Sequence, residues 1–119
     1  MKLLNILHVE DNELISTITG EYLSMFEHKV TSCMDVTSGL KQLEENEFDV
    51  ILLDLAMPTL TGYDFICELK NKPNILNKIH ILTATDLTDE EKLELYDKGV
   101  KKILLKPLKA EELLEQIKN

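Results

Sequence analysis

Three acidic residues, a threonine and a lysine each stand at the end of a short apolar run. Glu10 and Asp11 follow Asn5 to Val9, Asp54 follows Phe48 to Leu53, Thr83 follows Ile79 to Leu82, and Lys106 follows Lys102 to Leu105. If those runs lie side by side in one sheet, three carboxylates, a hydroxyl and an ammonium meet at one edge. Crowded carboxylates repel, so such a group must bind protons or a cation, and hard oxygen ligands with room for water suit Mg²⁺. The same ion could coordinate a phosphoryl oxygen, while Lys106 pairs with a second and Thr83 donates to a third. That charge pattern stabilises phosphoryl transfer, with Asp54 as the nucleophile.

The elements that must position these residues are legible as an alternation of apolar runs with helical periodicity, the mark of α/β architecture. Asn5 to Val9 reads as a buried strand. Asn12 to Phe26 repeats apolar residues at Ile15, Ile18, Tyr22 and Met25 or Phe26, which is helical spacing. Lys29 to Cys33 is a second, weaker strand, and a helix from about Asp35 puts Val36, Leu40 and Leu43 on one face. Phe48 to Leu53, apolar but for Asp49, reads as a central parallel strand covered on both faces.

A third helix is predicted from about Tyr63 to Lys70 with Phe65, Ile66 and Leu69 buried, then an Asn/Lys/Pro loop around Pro73 and a fourth strand at Ile79 to Leu82. Thr88 with Glu91 has the form of a capping box, and Gly99 suits the stop of that fourth helix. Lys102 to Leu105 is the fifth strand, and Glu111 to Ile117 the last helix. Right-handed crossovers then give a parallel sheet whose ligands bind outside the carboxyl ends of its strands, where the chemistry-bearing residues stand.

The chain has 119 residues, enough for one domain that buries roughly two thirds of its unfolded surface. No apolar run reaches the roughly 18 residues that cross a bilayer, and the acidic pair interrupts the first apolar stretch before any cleavage site, so neither membrane span nor signal peptide is expected. The net charge is −9 and every basic residue is Lys, which argues against sustained contact with nucleic acid. Cys33 and Cys67 lack disulfide or metal spacing and are expected to be buried free thiols in a reducing cytosol.

These motifs together resemble the receiver domains of two-component signalling, over essentially the whole chain. The matching residues are Glu10-Asp11 after an apolar strand; Asp54 within Leu52-Leu53-Asp54-Leu55-Ala56-Met57-Pro58 with Gly62 following; Thr83-Ala84 after strand four; and Lys106-Pro107 after strand five. The resemblance implies a doubly wound, flavodoxin-like (βα)5 sandwich with strand order 2-1-3-4-5, and a bacterial, cytoplasmic protein. It implies that a sensor histidine kinase, a phosphotransfer protein or a small acyl phosphate donates a phosphoryl group to Asp54. Mg²⁺ would be held by Glu10, Asp11, Asp54 and the backbone carbonyl of Ala56, with Thr83 and Lys106 on the phosphoryl group. Met57, Pro58 and Gly62 would form the loop under the site, and Pro107, preceded in such domains by a cis bond, would shape the Lys106 loop.

A phosphorylated state would be read by a downstream partner or fused output domain, with a homodimer through helix four and strand five as one form. Where such domains carry an aromatic switch residue, three positions before the lysine, this chain has Ile103. Any signal must therefore travel through Thr83, the loop after it and the face of helix four with strand five. Ala56 and Thr85, two residues beyond Asp54 and Thr83, are expected to tune phosphoryl lifetime.

Competing readings are weaker. A phosphatase of the aspartyl-nucleophile type resembles D-x-D, but the second Asp is here Ala56, so a turnover enzyme is not expected. A flavin carrier would need free backbone amides after strand one, where Glu10-Asp11-Asn12 is acidic. A phosphorylation-silent interaction module is kept open by the missing aromatic alone. Asp11 could instead cap helix one. His8 and His80 are expected as satisfied sheet residues, His28 in the turn before strand two, and Tyr63, Tyr96 and the phenylalanines as core or partial-core packing.

Overall fold

The computed structural model describes residues 2–118. Five parallel strands, β1 (Asn5–Val9), β2 (Lys29–Cys33), β3 (Val50–Asp54), β4 (Ile79–Thr83) and β5 (Lys102–Leu105), pair in the order β2-β1-β3-β4-β5. Six helices connect or follow them: α1 (Glu13–Ser24), α2 (Val36–Glu45), α3 (Gly62–Glu68), α4 (Pro73–Leu76), α5 (Asp89–Asp97) and α6 (Ala110–Ile117). The doubly wound sandwich and its strand order are as expected. The central strand β3 starts two residues later than expected and takes in Asp54 as its last residue, and all five of its residues are buried.

Alternate strand residues feed two apolar layers, because successive side chains point to opposite faces of a sheet. Leu7, Val9, Ile51, Leu53, Ile79 and Ile81 pack with Val36, Phe65, Ile66, Leu76 and Leu95 of α2 to α5. Ile6, Val50, Leu52 and Leu82 pack with Leu23 of α1 and with Leu113, Leu114 and Ile117 of α6. Each fully buried Leu, Ile or Phe contributes about 1.5–3 kcal/mol. Local signals agree with the packing: Asp35, Thr61 and Thr88 cap α2, α3 and α5, the last two with reciprocal capping boxes, and Gly99 takes the positive φ of 109° that ends α5.

Several expectations need correcting. The inward face of α1 is Ser16 and Leu23, with Tyr22 and Phe26 packed beside them, whereas Ile15, Ile18 and Met25 are exposed. The helix cap is Asn12, which accepts from the Ile15 amide, and not Asp11. The loop around Pro73 contains the short helix α4, begun by the proline at its first position, where its missing N–H costs nothing.

Cys33 is buried but Cys67 is exposed, and Tyr63 and Tyr96 are only partly covered, at 41% and 46% exposed. None of the three histidines is fully satisfied: His28 accepts from the Leu4 amide at Nδ1 but has no partner at Nε2. Neither ring nitrogen of fully buried His8 has a partner, and His80 lacks one at Nε2. Burial pushes His8 down to about 4 in spite of Glu10 nearby, so its ring is neutral at physiological pH.

Candidate functional site

β1, β3, β4 and β5 end along one edge of the sheet, and residues at and just beyond their carboxyl ends form the walls of one acidic cavity. Glu10, Asp11, Asp54, Ala56, Ala84 and Lys106 line it. Asp54 closes β3 as its last residue and is 6% exposed, while Glu10, just past β1, is 1% exposed. Burying two carboxylates this deeply demands partners for them. Lys106 supplies one: its Nζ donates to Glu10 Oε1 at 2.9 Å and lies 3.6 Å from Asp54 Oδ2. Backbone amides supply others, Asn12 to Glu10 Oε2 at 3.2 Å and Ala56 to Asp54 Oδ1 at 3.2 Å.

The two buried acids are driven apart in acidity. Burial, followed by the neighbouring Glu10 carboxyl, pushes Asp54 up to about 6, with Lys106 opposing. Burial alone would raise Glu10 too, but hydrogen bonds from Lys106, from the protonated Asp54 and from the Asn12 amide hold it below the usual carboxylate range. One proton shared between two acids is what close carboxylates do when no cation is present. Ligand oxygens of Glu10, Asp11 and Asp54 lie within 4.8 Å of one another, so one divalent cation can reach all three. These crowded oxygen donors, once ionised, fit such an ion.

Lys106 is anchored from behind, its backbone amide donating to the Thr83 carbonyl at 2.8 Å, and the Lys106–Pro107 bond is cis. Gly62 sits against β3: its amide donates to the Leu55 carbonyl at 3.0 Å, and a Cβ there would lie 2.6 Å from the Asp54 carbonyl oxygen. No residue larger than glycine fits so close to the backbone that carries Asp54. Leu55 and Met57 are buried in the larger core layer and Pro58 is exposed, so the loop between Asp54 and Gly62 is pinned by two side chains. Thr59 within it takes a φ of 68°, a left-handed conformation costly for a β-branched residue.

Thr83 is placed differently from the others. It is the last residue of β4 and is buried, but the cavity wall is formed by its neighbour Ala84. The Thr83 hydroxyl is held by its own loop, accepting from the Thr85 amide at 3.1 Å and donating to the Thr85 carbonyl at 3.4 Å. Ile103 is half-buried and packs against the larger core layer. Sequence reasoning missed Asn12, Leu14 and Ile15, which border the cavity mouth. Their only signal is position, immediately after the acidic pair.

This fold and acidic edge define a class, and comparison with known proteins agrees. A profile of the response regulator receiver domain matches residues 6–118. The chain is 29% identical over 114 residues to the autoinducer 2 sensor kinase/phosphatase LuxQ of Vibrio vulnificus, covering 96% of this chain but 13% of LuxQ. It is 29% identical to the two-component response regulator ORR13 of Oryza sativa, with 88% of each chain covered. The chemotaxis protein CheY4 of Vibrio cholerae superposes with a TM-score of 0.87 at 26% identity, covering 98% of both chains. The chain belongs to the response regulator receiver domain family. It is a receiver domain of two-component signalling, and it spans about an eighth of the LuxQ sequence that it matches.

Proposed function

We propose that residues 1–119 act as one receiver domain that accepts a phosphoryl group on Asp54 in a Mg²⁺-dependent reaction. The observation that carries this reading is the placement of the Lys106 ammonium against both Glu10 and Asp54 in a cavity that opens to solvent. Glu10, Asp11, Asp54 and the Ala56 backbone carbonyl would hold the ion, which when bound offsets carboxylate charge and orients phosphoryl oxygens. A carboxylate oxygen of Asp54 attacks phosphorus as the bond from phosphorus to the donor breaks, and the donor leaves with the electron pair. Lys106 neutralises one phosphoryl oxygen, and the Thr83 hydroxyl leaves Thr85 to donate to another. Met57, Pro58 and Gly62 hold the Asp54 loop, and Pro107 holds Lys106.

The donor is a sensor histidine kinase, a phosphotransfer protein or a small acyl phosphate. The phosphorylated form is read by a downstream protein or a fused output domain, with no direct contact to nucleic acid or membrane. Among the described residues no helix is long and apolar enough to cross a membrane, and we place the domain in the cytoplasm. It promotes its own phosphorylation and dephosphorylation and is not a turnover enzyme. A homodimer through α5 and β5 is the assembly the exposed Leu93, Tyr96 and Leu105 support. Because Ile103 has no ring to bury, the change at Thr83 passes through the Ala84 to Leu87 loop.

Intact mass after incubation with acetyl phosphate and Mg²⁺ tests the reading. One added phosphoryl group is expected, absent in Asp54→Asn and in chelator. No gain in a folded sample, together with no binding of beryllium fluoride, would leave a phosphorylation-silent interaction module instead.

A further inference from the structure

At the opposite edge of the sheet, where β3, β4 and β5 begin, lies a second cavity of about 390 Å³. Strands of this length at about 3.3 Å per residue put it roughly 15 Å from Asp54. Its wall carries four ammonium groups, Lys2, Lys78, Lys101 and Lys118, and one carboxylate, Asp49, in a chain whose net charge is −9. Lys2 lies 3.9 Å from Asp49 and Lys118 3.3 Å from Glu115. Among the described residues Lys78 and Lys101 have no carboxylate partner, so their charges are offered to the cavity uncompensated.

A second observation points to the same place. His80 lines this cavity, is 2% exposed, and has its Nδ1 3.0 Å from the Lys78 carbonyl. That contact makes Nδ1 the donor, which leaves Nε2 a buried lone pair with no partner. Buried ring nitrogens are ordinarily paired, and of those left without a partner here, His80 Nε2 belongs to a residue that shares a cavity wall with unpaired cations.

We propose that this cavity binds a multivalent phosphate anion, a chain of linked phosphates either free or carried by a nucleotide, with Lys78 and Lys101 as its charge partners and His80 as a donor recruited on binding. Lysines on flexible stems act as point charges and suit such an anion. Burial, with Lys102 and Lys101 nearby, keeps the empty site's His80 neutral. Lys101 and Lys102 at β5 and the Lys78 carbonyl bear on the ring, and Lys2, Asp49, Lys78 and Lys118 share its cavity. An anion that neutralises these lysines lets Nε2 take a proton and donate to it, so binding strengthens as pH falls from 8 to 6. The site stands apart from the phosphoryl chemistry and does not depend on it.

The test is calorimetric titration with inorganic tripolyphosphate in metal-free buffer, alongside nuclear magnetic resonance of the histidine rings. The expected result is saturable one-site binding that weakens by about tenfold or more in Lys78→Gln/Lys101→Gln. Affinity is unchanged in Lys41→Gln/Lys70→Gln, whose lysines are exposed elsewhere, and His80 becomes doubly protonated as the site fills. ATP in a second arm separates the sources: equal affinity means that the phosphates alone are read, and tighter binding means that the base is held as well. Absence of saturation, or equal weakening in both double variants, would overturn the proposal, since either describes diffuse attraction. Binding lost in Lys106→Gln but kept in the Lys78/Lys101 variant would also overturn it, by placing the anion at the acidic edge.

Discussion

Lys106 Nζ lies closer to Glu10 Oε1, at 2.9 Å, than to Asp54 Oδ2, at 3.6 Å. The lysine thus stands in for a cation among the carboxylates and competes with one. Replacing it with an uncharged chain of similar length, Lys106→Met, should have opposite effects on two measurements. Mg²⁺ affinity, followed by calorimetry, should rise by roughly tenfold as a nearby positive charge is removed. Phosphoryl uptake from acetyl phosphate should fall by about a hundredfold or more, as expected when one stabilising donor to the transition state is lost. Parallel loss of both would show that Lys106 merely supports the fold.

The acidity of Asp54 gives a pH dependence. Its folded value of about 6 lies above the ordinary 3.8, so between those values the folded protein binds more protons than the unfolded chain. Stability from this group therefore falls as pH rises from about 4 through 6, and the cost is fully present above that window. Glu10 acts in the other direction, its lowered value favouring the fold as pH rises through the ordinary carboxylate range. The difference between wild type and Asp54→Asn isolates the Asp54 part. In metal-free melts the asparagine variant should be more stable by about 1–3 kcal/mol at pH 7.5, and the gap should close by pH 4. Mg²⁺ should raise the wild-type melting temperature at pH 7.5 far more than at pH 5.

Two glycines make a paired prediction about space. Gly62→Ala drives a Cβ to 2.6 Å from the Asp54 carbonyl oxygen and 2.8 Å from Leu55 Cα, both backbone atoms, and should cost about 2–4 kcal/mol in urea unfolding. Gly20→Ala, inside α1, meets nothing nearer than Ser32 Oγ at 3.7 Å and should stabilise by about 0.5–1 kcal/mol. If the two alanines behave alike, the close approach at Gly62 is not real.

Thr59 carries strain in the loop that follows Asp54. With φ at 68°, Thr59→Gly should raise the urea midpoint by an amount equivalent to about 1 kcal/mol. Thr59→Val, equally β-branched, should not.

How far the sequence foretold this arrangement depends on the kind of residue. β1, β2 and β5 fall where their apolar and β-branched runs suggested, and Asp35 and Thr88 mark helix starts because their capping chemistry is local. The convergence of Glu10, Asp11, Asp54 and Lys106 was legible because each simply ends a strand or lies just past it. The inward face of α1 was not. Ser16 and Gly20 are small and gave no hydrophobic signal, yet Ser16 is buried and Gly20 faces Val30 and Ser32, while Ile15 and Ile18 repeat with the same period on the outer side. Nor could spacing reveal that the Thr83 hydroxyl is engaged by Thr85, or that His8 lacks partners. Those depend on side-chain torsions and on what surrounds them.

The two layers that cover the sheet are unequal. The layer beneath α2 to α5 holds most of the large buried side chains, including Phe65. The layer beneath α1 and α6 is thinner, and His8, His80 and Lys102 take up part of its sheet face. Elements that bury less apolar surface open at lower free energy, so amides of α1 and α6 should exchange with solvent before those of β3 and β4. The segments bearing Glu10 and Asp11 and Lys106 run directly into those two helices, whereas Asp54 ends β3 at the centre of the sheet. On that expectation Asp54 is fixed to the stiffer half of the molecule, while Glu10, Asp11 and Lys106 ride on the half that opens first.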